Sequence, residues 1–123
     1  MQDPLDLAPE TVTIDLFDRV DMRAGRITRV EPFPEARKPS YKLEIDFGPL
    51  GTRKSSAQLT AHYTPEELVG RLVVAVVNFP PRRIAGFASE VLVLGLPDAG
   101  VAREGGVILL SPEREVQPGA RVF

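Results

Sequence analysis

The sequence contains no cysteine and only one histidine, His62. Without thiols there is no disulfide and no thiolate metal site, which fits a reducing cytosol. One imidazole leaves only carboxylates to complete a zinc centre, so the usual zinc sites are excluded. Long hydrophobic runs are missing as well. The longest is the six residues from Leu72 to Val77, where a membrane-spanning helix needs about 20. The opening Met1-Gln2-Asp3-Pro4-Leu5-Asp6 has neither the basic nor the apolar stretch of a secretory leader. A cytoplasmic protein without membrane insertion is the expectation. Internal repeats and low-complexity tracts are also absent.

Catalytic signatures are lacking too. His62 stands beside Tyr63 in a stretch that reads as an exposed turn, and no nucleophile motif accompanies it. Ser55-Ser56 falls in an expected strand rather than at an elbow. Gly105-Gly106 precedes a strand, whereas a phosphate-cradling glycine loop opens a helix. The pair Glu66-Glu67 is explained by helix capping. The inventory points to a binding module, with no catalytic residue, cofactor or metal.

What is present suits one soluble globular domain: 123 residues, 43% hydrophobic and 26% charged. The formal net charge of −2 conceals a segregation. Asp3, Asp6, Glu10, Asp15 and Asp18 occupy the first 18 residues without a base. Residues 19–54 then hold Arg19, Arg23, Arg26, Arg29, Arg37, Lys38, Lys42, Arg53 and Lys54 against five acids. This middle is either a solvated face with scattered ion pairs or a focused anion-binding face.

Residues 1–12, with Pro4 and Pro9, read as an N-terminal arm. Thr13 is a candidate N-cap for a short helical turn carrying Ile14, Leu16, Phe17 and Val20. Alternation predicts a strand from Val20 to Val30, and Gly25 within it predicts a bulge or sharp bend. Three prolines make residues 31–40 a loop. Tyr41, Leu43, Ile45 and Phe47 alternate with Lys42, Glu44 and Asp46, the pattern of a half-buried strand. Gly48-Pro49-Leu50-Gly51 turns it into a returning strand, Thr52 to Leu59. Thr64-Pro65-Glu66-Glu67 is a helix start, and Gly70 ends the helix early. Leu72 to Val77 reads as a buried strand, Asn78 to Arg83 as a break, and Glu90 to Leu96 as another strand. After a turn at Pro97-Asp98-Ala99-Gly100, Val107 to Leu110 is a short strand, and Ala120 to Phe123 is a candidate return to the sheet. Six or seven short strands with one brief helix after the third describe a small β-barrel or sandwich.

Two segments exceed what a generic barrel needs. Pro34 to Lys42 places Arg37, Lys38, Tyr41 and Lys42 where a rigid loop enters a strand. Asn78 to Glu90 joins Pro80-Pro81 to Arg82-Arg83 and carries Phe79 and Phe87. The arginines are either solubilising loop residues or forks for phosphate. The rings are core residues or, where exposed, stacking platforms for unpaired bases.

Four stretches resemble the tRNA-binding domain family in order and in register over about residues 13–123. They are Val20-Asp-Met-Arg-Ala-Gly-Arg-Ile27, Ser40-Tyr-Lys-Leu-Glu-Ile-Asp-Phe-Gly48, Tyr63-Thr-Pro-Glu-Glu-Leu-Val-Gly70 and Asn78-Phe-Pro-Pro-Arg-Arg-Ile-Ala-Gly-Phe-Ala-Ser-Glu-Val-Leu-Val-Leu-Gly95. The family includes the C-terminal extension of bacterial methionyl-tRNA synthetases and free-standing proteins. The free-standing members are the nearer, through Ala36-Arg-Lys-Pro39 and Ser55-Ser-Ala-Gln58. The match departs over Pro97 to Gly105.

The resemblance implies an all-β fold: an OB-fold five-stranded barrel with one short helix after strand 3, extra C-terminal strands and a short N-terminal helical turn. One domain over 13–123 would follow the arm at 1–12, with 97–123 as a dimerisation extension. It implies a homodimer meeting through Val107, Ile108, Leu109, Leu110, Val122 and Phe123. Two functions follow from it. One is an export-related chaperone that holds unfolded or precursor polypeptides, with tRNA-binding capacity on the same face. The other is a tRNA-binding or synthetase-docking protein without chaperone activity. The implied ligand residues are Arg37, Lys38, Tyr41, Lys42, Ser55, Ser56, Asn78, Arg82, Arg83 and Ser89. Arg and Lys would meet phosphates, Ser and Asn would donate to phosphate or the 2′-hydroxyl, and Tyr41 would stack. Phe33, Phe79 and Phe87 are candidates for an apolar groove built at a subunit junction.

Overall fold

The alternation along Tyr41 to Phe47 sets the frame of the molecule, because it turns Leu43, Ile45 and Phe47 inward and Lys42, Glu44 and Asp46 outward. The computed structural model describes residues 10–98 and 106–123. Its elements are α1 (Ile14–Arg19), β1 (Met22–Pro32), β2 (Tyr41–Asp46), β3 (Thr52–Ala57), α2 (Pro65–Leu68), β4 (Leu72–Val76), β5 (Arg82–Ile84), β6 (Phe87–Ser89), β7 (Leu92–Val93), β8 (Gly95–Pro97) and β9 (Val107–Leu109). The main sheet runs β3-β2-β1-β4-β7, all antiparallel.

Its two ends are drawn together by backbone and serine. The Glu90 amide donates to the Lys54 carbonyl at 2.8 Å, and Ser55 Oγ donates to the Val91 carbonyl at 3.1 Å. The result is a nearly closed five-stranded barrel of OB type. Ile27, Leu43, Ile45, Phe47, Leu59, Leu68, Val73, Ala75, Val91 and Leu109 fill it. Each large side chain buried there contributes roughly 1.5–3 kcal/mol. β4 is buried along most of its length, which is why it reads as an unbroken apolar run.

Helix α2 forms as its sequence dictates. Thr64 Oγ1 accepts the Glu67 amide at 3.3 Å, and the Glu67 carboxylate accepts the Thr64 amide at 2.9 Å, with Pro65 at the first turn. Those hydrogen bonds hold the Glu67 carboxyl below its ordinary value. Thr13 behaves otherwise. Its hydroxyl bonds the Asp15 side chain and no helix amide. α1 buries no residue, and Ile14 and Leu16 face solvent.

Several expectations are corrected. β1 begins at Met22, because α1 continues to Arg19. The bulge falls between Ile27 and Arg29, while Gly25 pairs regularly with Val73. Gly25 marks a close approach instead. A Cβ there would lie 2.6 Å from both Ile45 Cγ2 and Phe47 Cε1. The expected strand over 90–96 is two strands with different partners, β7 on β4 and β8 on β9. The stretch read as a break at 78–83 leads into a β5–β6 hairpin, which turns at Ala85 (φ +48°) and Gly86 (φ +82°). Residues 1–9 of the expected arm, and 99–105 of the expected turn and departure, lie outside the described residues.

The C-terminal segment does return to the sheet. It runs beside the start of β1, on the side that β2 leaves open. The Gly119 amide donates to Ala24 O, Ala24 N to Ala120 O, and Val122 N to Met22 O, at 2.8–2.9 Å. Asp21 accepts from Arg23 at 2.6 and 3.2 Å and faces Arg121 at 3.5 Å. This bonding to the Arg23 guanidinium holds its carboxyl below the ordinary value.

Candidate nucleic-acid interface

Strand register arranges the outward side chains of β1, β2 and β3 in rows. Glu31, Lys42 and Ser56 form one row, Arg29, Glu44 and Lys54 the next, and Arg26, Asp46 and Thr52 a third. The bulge after Ile27 keeps Arg29 on this face although it is three residues from Arg26. Charges alternate in sign within the rows, and between the first row and the second. Arg29 meets Glu31 at 2.7 Å and Glu44 at 4.0 Å.

Two rings close one end of this floor. Phe33 and Phe87 meet edge to face with centroids 5.4 Å apart. The Lys42 ammonium lies 4.7 Å from the Phe33 centroid and 5.3 Å from that of Phe87, and Lys54 lies 5.5 Å from Phe87. Ring quadrupoles hold both cations in place while leaving their charge available. Arg29, Glu31, Lys42, Glu44, Lys54 and Phe87 line a shallow hollow of about 40 Å³.

The walls are the two segments singled out in the sequence, each anchored at the rings. The 33–40 loop starts at Phe33 and is closed by its own bonds, Phe33 N to Ser40 O at 3.3 Å and Ser40 Oγ to Lys38 O at 2.9 Å. It presents Arg37 and Lys38, exposed and without an ion-pair partner among the described residues. The β5–β6 hairpin carries Phe87 and is tied to β3 by the Ser56 amide donating to Ser89 Oγ at 3.0 Å. It presents Arg82, likewise unpartnered, and Arg83, which donates to the Gly86 carbonyl at 3.1 Å. The arrangement is a nearly neutral floor with cationic walls, suited to a polyanionic backbone.

The structure thus brings together Lys42, Phe33 and Phe87, with Ser56 in the same row as Lys42, and joins through the rings the two segments that carry Arg37, Lys38, Arg82 and Arg83. Other expected ligand residues have structural partners. Ser55 is fully buried and closes the barrel. Ser89 is buried beneath the Ser56 amide. Asn78 accepts the Asp21 amide at 2.9 Å and donates to Arg19 O at 2.8 Å, so both ends of its amide tie the α1–β1 junction to the end of β4. The Tyr41 hydroxyl donates to Tyr63 O at 2.8 Å, and its ring packs on the core. Phe79 is exposed and outside the ring pair. Arg29 and Lys54 were absent from the sequence-derived set. Their signal is the strand period, which puts them on the same face as Lys42.

A second surface is apolar. Leu92, Leu96, Ile108, Leu110, Val122 and Phe123 are exposed, Val107 is half-buried, and Leu109 belongs to the core of its own barrel. His62 lies 2.9 Å from the Asp98 carboxylate. Among the described residues no three His, Asp or Glu side chains gather as a metal site would need, and no helix is long and apolar enough to cross a membrane.

A five-stranded OB-type barrel with a basic, aromatic-braced outer face is a frame for ligand binding. Residues 22–121 match the family described as "Putative tRNA binding domain", and the chain belongs to that family. It is 42% identical over 116 residues to methionine–tRNA ligase 1 of Sorangium cellulosum, spanning 94% of this chain but 16% of that one. It also resembles the crystal structures of chaperone CsaA from Bacillus anthracis and of CsaA chaperone protein from Picrophilus torridus. Identities are 50% and 45%, each with TM-score 0.83, covering 93% and 92% of this chain and 100% of the others. The chain therefore spans about one-sixth of the synthetase relative and the whole of the CsaA chains.

Proposed function

We propose that this protein is a non-catalytic binding module of the cytoplasm that holds tRNA through its sugar–phosphate backbone. Its floor is Lys42, Lys54, Arg29 and Ser56, and its walls are Arg37, Lys38, Arg82 and Arg83. One observation carries the reading: two segments bearing exposed, unpartnered cations meet through the Phe33–Phe87 contact, on which Lys42 and Lys54 also lie. A phosphate backbone neutralises such cations with release of counterions. Phe87, half-buried, offers an edge to a splayed base. The test is equilibrium binding of tRNA between about 50 and 200 mM salt, where such a complex weakens steeply.

A second reading rests on the apolar surface. Exposed Leu96, Ile108, Leu110 and Phe123, together with the likeness to two proteins called chaperones, support a homodimer joined through the C-terminal strands that holds unfolded or precursor polypeptides for export. Suppression of client aggregation by the purified protein, at near-equal ratio and independent of salt, tests it. A docking role beside a synthetase predicts instead capture that needs neither RNA nor peptide.

A further inference from the structure

Apart from the aromatic hollow, a separate cleft of about 290 Å³ lies toward the Gly70 turn. Arg26, Gly70, Arg71, Leu72, Ser111 and Arg114 line it, with Pro112 and the carboxylates Glu113 and Glu115. Arg71 Nε is buried without a hydrogen-bond partner, the one such side-chain nitrogen or oxygen among the described residues. Its guanidinium is steadied over the Tyr63 ring at 5.2 Å. A buried, unmatched donor of a permanent cation calls for an acceptor.

Arg26 is half-satisfied in a telling way. One Nη donates to Gly70 O at 2.8 Å, and the other is bonded by the carboxylate of Glu115. That carboxylate is 74% exposed and sits on a loop whose neighbours Glu113 and Arg114 are each about 90% exposed. An ion pair so exposed is worth about 0–1 kcal/mol and is readily exchanged.

We propose that this cleft is a second oxyanion site that takes a phosphate of the bound RNA, and that Glu115 occupies it as an internal stand-in. The proposal rests on the RNA reading above. Arg71 and Arg114 line the cleft and supply donors, Arg114 from a loose, exposed pairing with Glu113 at 3.8 Å, and Arg26 joins them when Glu115 is displaced. Arg26 shares the outward face with Arg29 three residues on, about 10 Å away, a span that a few nucleotides of backbone bridge. The two sites then lie along one RNA track, from the lysine–phenylalanine cluster to the Gly70 turn.

The test uses the full chain with two probes. With tRNA, Glu115→Gln tightens binding about threefold, whereas Glu66→Gln, the same charge change at an exposed helix position, does not. Arg114→Ala weakens binding about threefold and lowers the log–log salt slope by roughly one contact, whereas Arg71→Lys, which keeps the charge but loses the planar fork, weakens binding about threefold with the slope unchanged. With inorganic phosphate, the Arg71 Nε–H resonance shifts, and saturates at lower phosphate in Glu115→Gln. If tRNA binding and slope are unchanged in all three cleft variants while Arg82→Ala still lowers them, the cleft is not on the RNA track and the proposal fails alone. If phosphate leaves the Arg71 resonance in place in both proteins, the oxyanion site fails. If wild-type protein binds no tRNA but phosphate moves that resonance, the RNA reading of the protein falls and the oxyanion site stands.

Discussion

The Lys42 ammonium lies 4.7 Å from the centre of the Phe33 ring, so a cation on the outer face is braced by a residue that is itself 4% exposed. Burial makes Phe33 a fixed platform, and the platform limits the rotamers of Lys42. The charge is thus presented with less side-chain entropy left to lose on binding. The two residues separate cleanly by experiment. Lys42→Ala is expected to lower stability by about 0.5–1 kcal/mol and to reduce tRNA affinity and its salt slope by roughly one contact. Phe33→Ala is expected to destabilise by about 3–5 kcal/mol. Urea melts beside binding titrations read both.

Gly25 tests the core. Gly25→Ala drives a methyl to 2.6 Å from Ile45 Cγ2 and Phe47 Cε1, both on the inner face of the barrel. Overpacking of this kind costs about 1–3 kcal/mol. The denaturation midpoint should fall with an unchanged slope against urea.

Ser55 and Asn78 look like ligand residues by type but serve the scaffold by position. Ser55→Ala removes a buried donor from the Val91 carbonyl and should cost about 1–3 kcal/mol of stability. Asn78→Ala frees both the Asp21 amide and the Arg19 carbonyl and should loosen α1. In neither variant should the tRNA affinity of the folded protein change. A loss of affinity at full folding would return them to the interface.

These residues show what was legible in the chain and what was not. Strand β2 and helix α2 were plain, because alternation at Tyr41 to Phe47 and the box Thr64–Glu67 are local chemistry. The β5–β6 hairpin was hidden, because Pro80-Pro81 reads as a break and its turn uses Ala85 rather than the customary asparagine or aspartate. The split of residues 90–97 was hidden too. Leu92–Val93 and Gly95–Pro97 differ in strand partner. Arg37, Lys38, Arg82 and Arg83 were legible as exposed basic residues on braced segments. The roles of Ser55, Ser89 and Asn78, and the place of Arg29 and Lys54, depend on register and burial across the barrel.

Acid should destabilise the fold through two carboxylates. Asp21, bonded by Arg23, is held below its ordinary 3.8, and Glu67, bonded by the Thr64 amide, below its ordinary 4.5. Below those ordinary values the unfolded chain takes up protons that the native state refuses, so stability rises with pH there. The contribution is complete above about pH 5 and is lost as pH falls through the lowered values. Melting temperatures of Asp21→Asn and Glu67→Gln should depend less on pH than wild type between about pH 5 and pH 2.

The apolar C-terminal surface predicts self-association. Light scattering should give twice the 13.5 kDa chain mass at micromolar concentration. Leu96→Asp with Ile108→Asp should give the single mass while the barrel stays folded, since both side chains are exposed in one chain.

The proposed function has cationic walls around the Lys42 cluster holding an RNA backbone. Its most direct test is the salt dependence of tRNA binding by wild type and by Arg82→Ala, whose side chain has no partner to lose within the described chain. Wild type should weaken steeply with salt, and the variant should bind less tightly with a slope reduced by roughly one. Binding that is undetectable at low salt, or that the variant leaves unchanged in both affinity and slope, would contradict it.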